Sequence, residues 1–242
     1  MREQEQSCLF TAGVPSGVPL LKGTPSKCPY LPDRTCMVEY FAAEHFSEDV
    51  YEKMFVAGWR RCGQVFYRNV CPGCNDCTPI RIPVSDFKPN RSQRRALRRN
   101  MDLACTISPL SFEEEDYELF ARYSQERHGS SQKEEDYYFF LASSPIPAMV
   151  IRWRLNEKLL GVAWVDLLPD SLSSCYFAFD TDYQARSLGV NSIMKQLELC
   201  RIWGKRWLQL GFYVPGCRKM NYKTRYKPCE LAGKGEWRQF HS

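Results

Sequence analysis

The chain has 242 residues, room for one large domain or two small ones, and its hydrophobic and aromatic shares (44% and 14%) exclude a disordered polypeptide. A net charge of +5 is too mild to mark a nucleic-acid binder by itself, so such a reading must rest on local clusters. No apolar run approaches bilayer length and Met1–Phe10 is polar with two glutamates, so a soluble cytoplasmic protein without a membrane partner is expected.

Met1–Ser26 carries Gly, Pro and Ser without periodicity and is expected to be extended and loop-rich. In Cys28–Cys36, CPYLPDRTC, two prolines argue against a regular element. Met37–Phe41 reads as a strand. Ser47 is a natural N-cap for a helix to about Val56, with Glu48 and Asp49 in its first turn and Gly58 at its end. Gly63–Val70 reads as the next strand.

Twelve cysteines without an export signal point away from a disulfide scaffold. Cys105, Cys175 and Cys200 lie in apolar or alternating contexts and read as buried thiols acting as small hydrophobes. Cys71, Cys74 and Cys77 differ: their C-x2-C-x2-C spacing lets neighbouring sulfurs face one metal ion or cluster. The fourth ligand must come from elsewhere. Cys28 is the first candidate, with Cys36 and Cys62 behind it. An iron–sulfur cluster is expected, zinc is the alternative, and reduced redox-sensitive thiols are the plainer account.

Residues 87–100, FKPNRSQRRALRRN, hold six basic side chains and no acid. With Ser92 as N-cap and Asn100 as stop, Arg91, Arg94, Arg95, Arg98 and Arg99 recur at three and four, one cationic helix face. Such a face suits a phosphate backbone, which it binds by counterion release. A solvated face with acids nearby in space is the competing account.

Met101–Ser108 reads as a strand and Phe112–Arg127 as a helix, acidic at its start and basic at its end as the dipole prefers. Glu134–Leu141 reads as a short helix. Met149–Arg154, Leu159–Asp166 and Leu172–Phe179 read as an antiparallel meander. In the last, Leu172, Ser174, Tyr176 and Ala178 are expected on one face and Ser173, Cys175, Phe177 and Phe179 on the other. Val190, Ile193, Met194 and Leu197 mark one face of a helix over Leu188–Trp203. Trp207–Phe212 reads as a strand, and the following segment to Cys229 interleaves basic and aromatic residues, suited to phosphates and unpaired bases.

Between the last meander strand and that helix, Arg186-Ser187-Leu188-Gly189-Val190-Asn191 resembles the R/Q-x-x-G-x-G/A loop of the GNAT acyltransferases, departing from it at Asn191. There, backbone amides at a helix start hold the donor's pyrophosphate. Longer stretches extend the resemblance. CPYLPDRTC at 28–36, GWRRCGQVFYRNVCPGC at 58–74, FKPNRSQRRALRRN at 87–100, RYSQERH at 122–128, residues 171–200 and GFYVPGCRKMNYKTRYKPCEL at 211–231 are together similar to the aminoacyl-tRNA–protein transferases. Length and the CPYLP form resemble the bacterial, leucine-transferring branch of that family.

The resemblance implies an α+β, GNAT-like fold: a mixed, mostly antiparallel sheet flanked by helices, with a smaller Cys-containing N-terminal part. The division implied is 1–100, with the Cys motif and basic helix, and 101–242, GNAT-like. It implies a transferase of the N-degron pathway of protein degradation. Leucine would pass from aminoacyl-tRNA to the α-amine of proteins beginning with Asp or Glu, and no cofactor is required for the chemistry. Arginine as donor is one alternative, and a non-catalytic tRNA-binding metal-cluster module is another. Donor contacts are expected at Arg186, Leu188, Gly189 and Asn191. tRNA or the acidic N-terminus is expected at Arg91, Arg94, Arg95, Arg98, Lys223 and Arg225. Metal ligands would be Cys28, Cys71, Cys74 and Cys77. Tyr176, Asp180 and Tyr183 are the polar groups nearest the central motif; none is assigned as general base.

Overall fold

A computed structural model describes residues 10–11, 14–233 and 235–241. The reading of Met1–Phe10 therefore lies almost wholly outside the described residues, as does part of the loop-rich reading of 1–26. From that segment Val14 is buried, against Tyr51, Phe55 and Trp59.

The N-terminal part is a small antiparallel sheet. Its strands are β1 (Leu21–Lys22), β2 (Val38–Ala42), β3 (Arg60–Cys62) and β4 (Val65–Asn69), ordered β1-β2-β4-β3. Helix α1 (Glu48–Met54) crosses it, with Ser47 Oγ accepting from the Val50 amide. Gly58, at φ 89°, turns the chain where a Cβ would be strained. Met54, Phe55, Trp59 and Phe66 fill the space between, and Ile146 and Leu168 from the larger part join them. The proline-bearing stretch is more regular at its ends than expected: Ser26–Lys27 pairs with Thr35–Cys36, closing the loop as a hairpin.

The rest is a mixed sheet built from β5 (Thr78–Pro83), β6 (Ala104–Pro109), β7 (Ala148–Leu155), β8 (Lys158–Leu167), β9 (Ser171–Phe179), β10 (Trp207–Tyr213), β11 (Glu230–Gly233) and β12 (Glu236–Gln239). Among the described residues its order is β6-β7-β8-β9-β10-β5-β11-β12, with every pair antiparallel except β9–β10. The large sheet thus draws one strand, β5, from before residue 100. Pro79 and Pro83 mask this strand in the sequence, since proline argues against a central position. Pro79 stands opposite Phe212, beside a register break, and Pro83 is the strand's last residue, so the ladder tolerates both.

Helices cover both faces. On one, α5 (Leu188–Ile202) buries Ile193, Met194 and Leu197 against Ile80, Ile151, Ala163 and Leu208, and α2 (Arg91–Arg99) packs beside it. On the other, α3 (Glu114–His128) buries Leu119 and Phe120 against Val150, Val162 and Trp164. A fork from Arg152 to the buried Asp116, at 2.8 and 2.6 Å, pins α3 to β7.

Several local readings need correction. The cap of α2 is Asn90, not Ser92: Asn90 Oδ1 accepts from the amides of Ser92 and Gln93, and Gln93 Oε1 accepts from the Asn90 amide at 2.8 Å, a capping box. Strand β6 starts at Ala104 because Met101 sits in a turn, 80% exposed. The short helix over Glu134–Leu141 is α-helical to Tyr137 and then widens to a π turn through Ala142. The strict alternation expected in β9 also fails. A bulge shifts its register between Val165↔Ser174 and Trp164↔Tyr176, so Leu172 and Phe177 pack on the α5 face while Tyr176 and Ala178 pack on the α3 face.

Candidate functional site

The parallel pair β9–β10 is bonded only from Ser171–Ser173 to Trp207–Gln209. Beyond that both strands bulge, β9 at Cys175 and β10 before Phe212, and between them lies a cavity of about 930 Å³. The start of α5 forms one apolar wall with Leu188, Gly189, Val190 and Ile193, continued by Leu210 and Phe177. The N-terminal part closes the opposite side with Tyr30, Tyr51, Arg60, Arg61 and Tyr67. Arg127, His128, Glu126 and Lys219 stand at the exposed rim.

Two cations reach the cavity floor. Gly211 has φ 75°, a conformation that favours glycine, and its kink presents successive carbonyls to this side. Arg60 Nη2 donates to the Gly211 carbonyl at 2.9 Å and Lys223 Nζ to that of Phe212 at 2.8 Å. Both residues are buried, and among the described residues neither meets a carboxylate. Burial, with the Arg60 charge added, pushes the Lys223 amine down to about 7. Burial pushes Arg60 down to about 10. Its neighbour Arg61 is neutralised by the buried Asp166, with Nε at 2.9 Å from Oδ1, and donates to the Gly63 carbonyl at 2.8 Å.

The remaining titratable groups narrow the chemistry. Burial and the nearby Asp166 hold Cys175 well above the ordinary thiol range, so it stays protonated and is a poor nucleophile. Burial likewise pushes Tyr176 up to about 12. His128 is lowered by burial and by Lys219 and Arg127, which favours its neutral form.

The sequence-derived site residues divide. Leu188, Gly189, Tyr176 and Lys223 line the cavity. Asn191 is buried, and its amide and that of Val190 donate back to the Ser187 carbonyl. The amides of Leu188 and Gly189 stand ahead of them at the open start of α5. Arg186 turns away, forking onto Asp102 at 2.8 and 2.9 Å. Asp180 is buried between Arg122 and Lys158, both at 2.9 Å, and Lys158 also sits over the Tyr183 ring, so both residues brace the turn before α5. Arg91, Arg94, Arg95, Arg98 and Arg99 are exposed on α2, as is Arg225.

Cys200 is buried, and Cys105 and Cys175 are half-buried. Cys28, Cys36, Cys71, Cys74 and Cys77 are half-buried free thiols in one neighbourhood. Burial, then Cys71, Cys28, Cys74 and Cys36, push Cys77 up to about 12. Burial and a hydrogen bond with Cys71 push Cys36 up to about 11. The donor set suits a soft metal, yet Cys71 Sγ also contacts the Met37 carbonyl at 3.6 Å and Cys74 Sγ contacts Asp76 at 3.5 Å. Among the described residues no three His, Cys, Asp or Glu side chains converge on a metal-sized point.

Sequence reasoning missed Arg60, Tyr30, Tyr67 and His128 as cavity residues. Arg60 and Tyr67 lie in the quoted stretch at 58–74 and His128 in the one at 122–128, but nothing in their local pattern separates a cavity arginine from a surface one.

The sequence is similar to a known family over most of its length. Residues 26–95 match the N-terminal region, and 115–233 the C-terminal region, of the family described as arginine-tRNA-protein transferase. An aspartate/glutamate leucyltransferase of Marinobacter nauticus is 38% identical over 220 residues, 89% of this chain and 93% of that one. One from Chromohalobacter salexigens is 39% identical over 222 residues, covering 89% and 90%. One from Aeromonas hydrophila is 42% identical over 196 residues, covering 79% and 82%. The crystal structure of FemX is similar with a TM-score of 0.49 at 10% identity, over 86% of this chain and 72% of that one. These relatives define an aminoacyltransferase. The chain is a member of the arginine-tRNA-protein transferase family.

Proposed function

We propose that the protein transfers leucine from leucyl-tRNA to the α-amine of proteins that begin with Asp or Glu, in the N-degron pathway of the cytoplasm. The observation that carries leucine over arginine is the make-up of the cavity. Its walls are apolar at Leu188, Val190, Ile193 and Leu210, its floor is cationic, and Glu126, its acid, stands at the exposed rim. An arginyl donor calls for a buried acid; a leucyl donor calls for apolar surface and an acidic acceptor for cations.

The ester on the terminal ribose is already activated. The neutral α-amine attacks its carbonyl carbon, a tetrahedral intermediate forms, and the ribose oxygen leaves with the proton that the amine gives up. A new amide and uncharged tRNA result. No covalent enzyme intermediate is required. Holding both reactants in the cavity supplies much of the acceleration. The free amides of Leu188 and Gly189 are suited to the developing oxyanion or to the last phosphate of the tRNA. Tyr123, Tyr176 and Phe179 offer rings for the terminal bases. The exposed arginines of α2 are suited to the tRNA backbone.

The thiols of Cys28, Cys71, Cys74 and Cys77, with Cys36 beside them, are read as ligands of an iron–sulfur cluster, zinc being the competing occupant. The grouping of five thiols supports this; the acyl transfer takes no step through it.

The test is direct. Purified protein is incubated with peptides beginning with Asp or Glu and with tRNA charged with labelled leucine or arginine. Label from leucine alone is expected. Label from arginine alone reassigns the donor, and no label from either removes the enzyme reading.

A further inference from the structure

We infer that Arg60 and Lys223 together form the receptor for the side-chain carboxylate of the acceptor's first residue, and so set the preference for Asp and Glu over their amides. The inference rests on the transferase reading.

Burying a cation without a counter-ion is costly, and folds normally avoid it. Asp166 neutralises Arg61 next door, but among the described residues Arg60 and Lys223 have only neutral partners. Arg60 Nη1 is held by the Trp59 carbonyl at 2.6 Å and Nη2 by Gly211, while its buried Nε has no partner. Its plane is fixed between the Phe55 and Phe212 rings, at 4.4 and 4.9 Å from their centroids. Lys223 is 8% exposed and spends one donor on Phe212. Two preorganised cations facing one cavity make a site for a small anion.

The anion is a carboxylate by elimination. Phosphates of a tRNA end are better met at the rim, where Arg127 and Lys219 are exposed. The leucyl side chain needs no charge. The arginines expected at tRNA or the acidic N-terminus, Arg91, Arg94, Arg95, Arg98 and Arg225, are exposed and do not line the cavity. The depressed pKa values of Arg60 and Lys223 agree: the floor penalises its own charge, and a carboxylate would relieve it.

The experiment compares peptides differing only in Asp against Asn at the first position, for wild type, Lys223→Met, Lys223→Arg and Arg60→Lys. Transfer is measured as kcat/KM, and binding without tRNA by calorimetry in two buffers of different ionisation heat. Lys223→Met should lower the Asp-over-Asn ratio by roughly tenfold to a hundredfold, the loss of one charged hydrogen bond, chiefly through KM. Lys223→Arg should recover most of it. Wild type should take up protons on binding the Asp peptide at pH 8, and Lys223→Met should not. An unchanged ratio in both Lys223→Met and Arg60→Lys, with each variant melting cooperatively and no lower than wild type, overturns the assignment. Absence of transfer with a preserved, Lys223-dependent preference in binding would instead sink the transferase reading and leave the carboxylate site standing.

Discussion

Arg186 and Asp102 close a bidentate pair, at 2.8 and 2.9 Å, that ties the loop entering α5 to the turn leaving α2. Arg99, the last residue of α2, reinforces it with a hydrogen bond to the Ala185 carbonyl. The arginine that sequence assigned to the donor is therefore already engaged, and we expect it to position the helix start rather than touch the donor. Arg186→Ala should lower kcat, and Asp102→Ala should reproduce most of that loss. The double variant should be little worse than either single one, since both remove one interaction. A silent Asp102→Ala beside an inactive Arg186→Ala would place Arg186 on the substrate instead.

The exposed arginines of α2 carry the second expectation. Gln93, Ala96 and Asn100 face the protein, which leaves Arg91, Arg94, Arg95, Arg98 and Arg99 on the solvent arc. Replacing Arg94 and Arg98 by alanine should weaken tRNA binding and reduce the slope of log affinity against log salt by about one for each phosphate no longer neutralised. Melting should scarcely change. An unaltered salt slope would make this helix a solvated face.

Much of this was legible because periodicity survives wherever one face is buried. The meander, α3 and α5 follow from their apolar spacing, and Gly58 marks a turn by its chemistry. What was hidden is non-local. Pro79 and Pro83 disguise a central strand because the bulge that accommodates Pro79 lies on its partner, β10. The bulge at Cys175 flips half of β9, and sequence alternation cannot register an extra residue. Of the site, Gly189 and Leu188 were readable from the strand–loop–helix motif. Arg60 was not, because its role arises from Gly211 on a distant strand.

Lys223 gives the reaction a pH signature. With its amine near 7 in the free protein, the charged form needed to hold a carboxylate fades as pH rises through 7. The acceptor α-amine, with a pKa of roughly 8, becomes reactive over the same range. kcat/KM for Asp peptides should therefore be bell-shaped, rising with the amine and falling with the lysine. Lys223→Met should lose the falling limb. Stability moves with it: between about 7 and 10.5 the unfolded chain binds a proton that the folded one refuses. Stability from this position thus falls as pH drops from 10.5 to 7 and is level below, so Lys223→Met should melt higher than wild type at pH 7. Loss of the rising limb in Lys223→Met would identify Lys223 as a general base instead.

The thiols belong to a different chemistry. Five cysteines crowd one neighbourhood, and the rise of Cys77 to about 12 reflects burial plus the cost of setting one thiolate beside others. Without a metal that crowding favours neutral thiols; with one, the same sulfurs would bind as thiolates and release their protons to solvent. Protein made and purified without oxygen is expected to carry iron and sulfide, with zinc as the competing content. Cys74→Ser should abolish whichever signal is found. Cys28→Ser and Cys36→Ser, compared side by side, identify the remaining ligand: Cys28 is the first choice, while the hydrogen bond between Cys36 and Cys71 keeps Cys36 in contention. Iron that survives Cys28→Ser but not Cys36→Ser would move the fourth ligand to the other arm of the hairpin. Protein that holds neither metal, together with a fully active Cys74→Ser, would leave these thiols with a packing role alone.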